Sequence, residues 1–208
     1  FPGEGADVYR KYLDDLPLLT HLCPPMGVFP VRFDRYSPYF MKAKEYGLDL
    51  HPLDYYSLIY PFSGEALNNL AYYFADANIG AEYAQTVSQW IGKIRGKSDF
   101  WMESWKSPDE HPVLLLYKEG DQHMIRDSRS GELKEYEISG VSARILKLMA
   151  DTKRIGDVHK EFTNGSAIDA AKEIAILKEK GLLFEEDNRF MSLPLIAADC
   201  RSETLPGN

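Results

Sequence analysis

The chain has 208 residues, of which 44% are hydrophobic, so it is long and apolar enough for one large or two small folded domains. Its 32 acidic residues outnumber its 24 basic residues, and this excess argues against a surface built to neutralise nucleic-acid phosphates. No stretch approaches the roughly 18 apolar residues of a membrane-spanning helix, and the first residues do not resemble a signal peptide. We therefore expect a cytoplasmic protein with no membrane or bulk nucleic-acid partner. Its first residues resemble the middle of a domain, so we also expect an excised piece of a longer protein.

Cysteine and histidine patterns exclude several kinds of site. Cys23 and Cys200 are too few to hold an iron–sulfur cluster or a disulfide framework. The five histidines show neither H-x-x-x-H nor H-E-x-x-H spacing, which would place two imidazoles on one helix face for zinc. The glycine motifs of nucleotide-binding loops and the serine motif of hydrolases do not occur. The sequence therefore predicts that this chain by itself holds no metal and no cofactor and is inactive as an isolated catalyst.

The first region contains the elements of an α/β unit. Apolar residues between Asp7 and Leu22 recur every three or four positions, which predicts an amphipathic helix kinked by Pro17. The stretch 27–34 predicts a buried strand that runs into a polar loop at 35–38. Residues 41–61 show no clear period and predict irregular structure. Two helical runs follow, at 63–74 and 80–94, and a polar, proline-containing connection places the domain boundary at about residue 107.

The second region changes to an antiparallel pattern followed by helices. Three short apolar runs at 113–117, 123–127 and 133–138, separated by turn residues, predict a three-stranded meander. Three apolar stripes then predict three helices, the third capped by Ser166 and Asp169 and ended by Gly181. Two last runs, at 182–184 and 190–193, predict a hairpin. Three helices and a hairpin follow each other in the order of a winged helix.

A winged helix usually binds DNA through its third helix, but the charges here oppose that function. Between Ser166 and Lys180 the third helix has three acidic and three basic residues, so it offers no net positive field. A meander beside a winged helix has an open edge that can accept an extended peptide as a further strand. The alternative, that this sheet only packs on its own helices or on the preceding region, stays open. The candidate peptide-binding residues lie on the third strand and the third helix: Leu133, Lys134, Tyr136, Ile138, Ile168 and Lys172.

Several segments resemble one enzyme family. Residues 22–40, LCPPMGVFPVRFDRYSPYF, closely resemble a stretch of the radical S-adenosylmethionine enzymes that mature ribosomally made peptides, in the branch with an N-terminal cobalamin-binding domain. The first four residues, FPGE, are similar to the family's G-F-P-G-E-T element, with Gly5 in place of the usual Thr or Ser. Residues 70–74, 100–101 and 125–127 are also similar to this family.

This resemblance implies an α+β chain with three parts. Residues 1–106 would be the closing part of a partial (β/α) barrel with a helical extension. Residues 107–195 would form a winged-helix domain like the leader-peptide recognition modules of these enzymes, and residues 196–208 would form a flexible tail. The family's three-cysteine cluster motif and its cobalamin motif would lie upstream of Phe1. The resemblance therefore implies that S-adenosylmethionine, a 4Fe-4S cluster and cobalamin would be cofactors of the full-length parent.

The resemblance also assigns site residues in the first region. Side chains at the carboxyl end of a barrel strand face the substrate, which selects Arg32, Asp34, Arg35, Tyr36 and Ser37. The alternative is that Arg32 and Asp34 form a structural ion pair and that Tyr36 fills the core. Gly3 and Glu4 would approach S-adenosylmethionine in the full enzyme.

The function implied is the C-terminal part of a radical S-adenosylmethionine enzyme that modifies a precursor peptide, with C-methylation as the candidate reaction. Its partners would be the precursor peptide, the upstream domains of the same polypeptide and, through exposed edges, a second copy in a homodimer. The alternative is a stand-alone winged-helix protein that binds a peptide or DNA partner and has no catalytic role.

Overall fold

A computed structural model describes residues 1–107, 110–162 and 170–198, except for the side chain of His159. The chain is a mixed α+β protein with several small sheets, and the described strands form no closed barrel. It divides into two compact units, the first made of residues 1–13 and 26–96 and the second of residues 14–25 and 97–208. This division falls earlier in the chain than the predicted boundary near residue 107. Residues 14–25 also belong to the second unit, whereas the sequence predicted them in the first.

The first unit is built from short strands and helices around a small core. Its sheet has three strands, with β3 (Tyr73–Asp76) between β1 (Phe33–Asp34) and β2 (Leu50–Pro52), and is antiparallel at both pairings. Phe33 and Phe74 lie opposite each other in the register and are both buried in the core of this unit. The elements are α1 (Ala6–Asp15), β1 (Phe33–Asp34), α2 (Pro38–Met41), β2 (Leu50–Pro52), α3 (Tyr55–Ile59), α4 (Gly64–Leu70), β3 (Tyr73–Asp76) and α5 (Glu82–Ser104), of which α1 and α5 continue into the second unit.

Three features of this unit differ from the sequence predictions. The strands of a (β/α) barrel are parallel, whereas this sheet is antiparallel, so it is not the predicted barrel remnant. The predicted strand at 27–34 shortens to Phe33–Asp34, and the predicted helix at 63–74 ends at Leu70. Phe74 belongs instead to the central strand β3, because tertiary pairing with β1 and β2 outweighs a helical period of a few residues.

The described residues of the second unit form two sheets and three complete α-helices, in addition to the ends of α1 and α5 and a short N-terminal segment. The elements are a 3₁₀ helix (Leu16–Leu19), β4 (Leu114–Glu119), β5 (Gln122–Asp127), β6 (Lys134–Ile138), α6 (Gly140–Leu148), β7 (Lys153–Arg154), α7 (Ile155–Phe162), α8 (Ala170–Glu179), β8 (Leu183–Glu186), β9 (Arg189–Ser192) and β10 (Leu195–Ile196). One sheet has the order β10-β4-β5-β6 and the other β7-β9-β8.

The predicted meander and the predicted hairpin are confirmed. Leu114, Leu116 and Ile125 face one side of the meander and are almost completely buried in a core shared with α6 and α8. The hairpin β8–β9 closes with a two-residue turn, Asp187–Asn188, whose φ angles of 49° and 58° are those of a type I′ turn.

Gly181 ends α8 as predicted. The N–H of Leu182 donates to the carbonyl of Leu177 and the N–H of Gly181 to that of Lys178, at 2.9 Å each, which is the Schellman pattern. Gly181 has a φ of 65°, and a Cβ there would lie 3.0 Å from Leu18 Cδ2. The predicted cap of this helix, Ser166 and Asp169, lies outside the described residues.

The end of the described chain also differs from the prediction. Ile196, the first residue of the predicted flexible tail, lies in β10 and pairs in parallel with Leu116 of β4. The Ile196 side chain packs against the buried core, which explains why this residue forms a strand and not a flexible tail. Residues 199–208 lie outside the described residues. Within the described ranges, no helix has the length and apolar character required to cross a membrane.

Candidate functional site

The strand β6 forms one edge of the four-stranded sheet. Along one side, the backbone of β6 pairs with β5 over five residues, from Lys134 to Ile138. The other edge strand of the meander, β4, is covered in part by β10, which pairs with Leu115 and Leu116. No strand among the described residues pairs with the other side of β6. This unpaired side is therefore the longest open edge of the meander.

The register shows which backbone groups face this edge. The N–H of Ser128 donates to the carbonyl of Val113 at 2.9 Å, so hydrogen bonding between β4 and β5 involves the even-numbered residues of β5. The two-residue turn Gly120–Asp121, with a φ of 60° at Gly120, closes the hairpin with the same alternation. The odd-numbered residues of β5 therefore pair with 134, 136 and 138 of β6. The N–H and C=O groups of Glu135 and Glu137 then point away from β5, toward the open edge.

The two faces of β6 have different chemistry. Tyr136 and Ile138 lie on the face of the sheet that packs against the core, which we call the inner face. Burial there raises the pKa of Tyr136. The ammonium of Lys180, directly after α8, lies 4.7 Å from the centre of the Tyr136 ring. The outer face carries the carboxylates of Glu135 and Glu137.

The two carboxylates of the outer face have unlike neighbours. Glu135 accepts from Arg126 at 2.7 Å and from the Tyr117 hydroxyl at 3.0 Å, and these hydrogen bonds lower its pKa. Glu137 accepts a hydrogen bond at 3.0 Å from the neutral amide of Gln122. Among the contacts of the described residues, Glu135 pairs with a cationic side chain across the sheet, whereas Glu137 pairs with a neutral amide.

The predicted peptide-binding residues are only partly brought together. Lys134, Tyr136 and Ile138 lie on β6, and Leu133, 62% exposed, immediately precedes it. Lys172 lies exposed in the first turn of α8, and Ile168 lies outside the described residues. Glu135 and Glu137 are not among the predicted binding residues. The two-residue turn at Gly120–Asp121 was a sequence signal for the alternation along β5, but the register between β5 and β6, which selects these two residues, came only from the structure.

Residues 14–25 are held to the second unit by buried polar contacts. Arg129 donates to the carbonyls of Leu18 and Gly181 at 2.9 Å each and forms a bidentate pair with Asp127. Burial alone would raise the pKa of Asp127, but the hydrogen bonds from Arg129 outweigh it and lower that pKa. The ring Nε2 of His21 donates to the carbonyl of Leu193 at 2.9 Å. These contacts attach the segment beside the C-terminal ends of both α8 and β9.

Two tryptophans of the same unit add to this attachment. The indole N–H of Trp101 donates to the carbonyl of Leu22 at 2.9 Å, and that of Trp105 donates to the carbonyl of Thr20 at 2.7 Å. The segment is thus fixed mainly through its backbone carbonyls.

The predicted substrate-facing group in the first unit has local partners. Arg32 and Asp34 form a bidentate ion pair with distances of 2.7 and 2.8 Å, as in the alternative interpretation. Arg35 donates to the carbonyls of Ala71 and Asn68, and the Ser37 hydroxyl accepts from the Phe40 N–H at the start of α2.

Tyr36 does not have the position that the alternative interpretation gives it. It is 75% exposed and therefore does not fill the core. Its backbone has a φ of 69°, in the left-handed region that non-glycine residues seldom adopt. This exposed ring remains the member of the group most available to a substrate.

Gly3 and Glu4 border a cavity of about 440 Å³ in the first unit. Glu82 and the hydroxyl-bearing Tyr46 and Tyr83 also line it. Glu4 Oε2 is buried without a hydrogen-bond partner among the described residues and lies 3.7 Å from the Phe1 amino group. The two carboxylates make this cavity suited to a cationic rather than an anionic group.

No described group of three or more His, Cys, Asp or Glu side chains is arranged to hold a metal ion. Comparison of the chain with protein-family models, curated proteins and solved structures found no match.

Proposed function

We propose that the second unit is a winged-helix module that binds an extended precursor peptide as an additional strand on β6. In this proposal the chain is the C-terminal part of a radical S-adenosylmethionine enzyme that modifies the bound peptide, with C-methylation as the candidate reaction. The enzyme assignment rests on the sequence resemblance, and the binding role rests on the open edge of β6.

The open edge supports peptide binding for a physical reason. The N–H and C=O groups of Glu135 and Glu137 point away from β5, so they offer a row of donors and acceptors that an extended backbone can satisfy. The half-buried ring of Tyr136 lies on the inner face of the same strand and offers apolar contact to side chains of an added strand. Backbone pairing would contribute affinity and these contacts specificity.

The charges of α8 favour a peptide over DNA. Its described residues include Lys172 and Lys178 against Glu173 and Glu179, so the helix has no excess of positive charge. A recognition helix in the major groove needs such an excess to neutralise phosphates.

The residues of the first unit fit S-adenosylmethionine in one respect only. Glu4 Oε2 is buried and has no hydrogen-bond donor among the described residues, so it could accept a hydrogen bond from the ammonium group of this cofactor. When bound, the cofactor supplies the alkyl group that is transferred or cleaved. Cys23 is exposed, Cys200 lies outside the described residues, and two thiolates do not fit an iron–sulfur cluster. In the proposed enzyme, residues upstream of Phe1 hold the cluster and cobalamin.

The binding role can be tested by selecting peptides on the full chain. A displayed library of random peptides of about 15 residues, long enough for one strand, is selected on the immobilised protein. Selected peptides are then measured on the wild type, on Glu135→Pro and on Glu135→Ala. We expect Glu135→Pro to weaken binding about tenfold or more relative to Glu135→Ala, since proline removes the outward N–H while both variants lack the carboxylate.

A random DNA duplex is measured in parallel at about 50 and 200 mM salt, where phosphate contacts give a steep dependence. Equal affinity of the proline and alanine variants would contradict binding at the β6 edge. Tight, salt-sensitive binding of the duplex would instead support the DNA-binding alternative.

The enzyme assignment has a separate test. The reading frame upstream of the Phe1 codon is sequenced, and we expect it to encode a C-x-x-x-C-x-x-C motif. A start codon directly before Phe1 would overturn this assignment while leaving the peptide-binding role unaffected.

A further inference from the structure

The outer face of β6 limits which peptide can pair with it. Side chains alternate along a strand, so Glu135 and Glu137 share the face opposite to Tyr136 and Ile138. Both carboxylates belong to the residues whose backbone groups point to the open edge. In an added strand, the residues directly paired with them would therefore lie on the same outer face.

The charge on this face is unevenly compensated. Arg126 lies across from Glu135 in the register and holds it at 2.7 Å, whereas Met124 lies across from Glu137. The hydrogen bond to Glu137 comes from the Gln122 amide, which carries no charge. A cationic side chain on an added strand would thus supply the partner that β5 does not give to Glu137.

The inner face has the opposite character. Lys180 covers the ring of Tyr136 at 4.7 Å, and Lys134 begins the strand on the same face. A basic residue of an added strand would meet like charge there, while an apolar residue would extend the packing around the Tyr136 ring. The edge therefore separates an anionic outer row from a cationic, partly apolar inner row.

We infer that the peptide recognised at β6 alternates in character, with Lys or Arg at outer positions opposite Glu135 and Glu137 and apolar residues at inner positions. This inference rests on the proposed peptide-binding role and specifies its ligand. Opposite charges directly across a pair of strands strengthen pairing, and like charges weaken it.

The same library selection tests this specificity. We expect peptides whose binding depends on the β6 edge to be enriched in Lys or Arg at two positions separated by one residue. On a Glu137→Lys variant, Asp or Glu should replace the basic residue at one of these positions. A selected peptide should lose about two- to fivefold in affinity when the paired Lys becomes Ser, the range for one cross-strand ion pair.

A matched control separates this local effect from net charge. Glu65→Lys in α4 of the first unit changes the net charge equally, and it should leave the selected pattern unchanged. Binders that depend on the edge but show no basic preference would overturn this inference and leave the proposed function intact. A selection that yields no edge-dependent binders would overturn both.

Discussion

Two arginines of the same hairpin form ion pairs in opposite surroundings. Arg126 holds Glu135 at 2.7 Å with its side chain 45% exposed, whereas Arg129 holds Asp127 at 2.8 Å with its side chain 8% exposed. Water screens the first pair, so its contribution to stability is small. Removing the Arg129 side chain leaves the buried Asp127 carboxylate without its guanidinium partner and two backbone carbonyls without this donor.

Substitution of these two residues should therefore have unequal effects. We expect Arg129→Ala to lower the free energy of unfolding of the second unit by roughly 3 to 5 kcal/mol, the range for breaking a buried pair. Arg126→Ala, the matched control, should leave it nearly unchanged. Urea unfolding followed by tryptophan fluorescence measures both. Equal effects would show that Arg129 contributes no more than a surface pair.

At the scale of the element, a buried histidine in the short segment that begins with the 3₁₀ helix should make the stability of the second unit depend on pH. His21 is only 4% exposed, and burial lowers its pKa below the ordinary value of 6.5. The Arg129 guanidinium also disfavours the charged ring, whereas the Asp127 carboxylate and the Leu193 carbonyl favour it. The neutral imidazole is therefore the form that fits between this segment and the end of β9.

The sign of the pH effect follows from this depressed pKa. Below pH 6.5 the unfolded chain binds a proton at His21 that the folded chain does not, so stability falls as the pH decreases. The loss should stop once the pH is below the folded-state pKa, and its slope cannot exceed about 1.4 kcal/mol per pH unit. We expect His21→Gln to reduce the slope between about pH 7 and 5, measured by urea unfolding. An unchanged slope would assign the acid sensitivity to other groups.

At the scale of the whole molecule, residues 14–25 should open together with the second unit, although the chain before and after them belongs to the first. Leu116→Ala removes a completely buried side chain of the second unit, and Phe74→Ala a buried one of the first. Each should cost about 2 to 5 kcal/mol in its own unit. Hydrogen exchange of the amides of residues 16–22 should accelerate in Leu116→Ala and stay unchanged in Phe74→Ala. The reverse result would show that the segment unfolds with the first unit.

Local signals were sufficient for much of the second unit. Strand alternation between turn residues predicted the meander, and Gly181 predicted the end of α8, because these features depend on neighbours in the sequence. Short runs in the first unit were less informative. Phe74 fits a helical period and a strand equally well, and pairing with β1 and β2 decided between them.

Sequence alone determined that β6 ends a meander and that its side chains alternate between two faces. The outward direction of the Glu135 and Glu137 backbone groups needed the hydrogen bond between Ser128 and Val113, which only the paired strands reveal. The attachment of residues 14–25 also required the tertiary structure, since Arg129 reaches the carbonyl of Leu18 across 111 positions of the chain. Periodicity and turn chemistry report interactions between near neighbours, whereas such a contact forms only when distant segments pack on a common core.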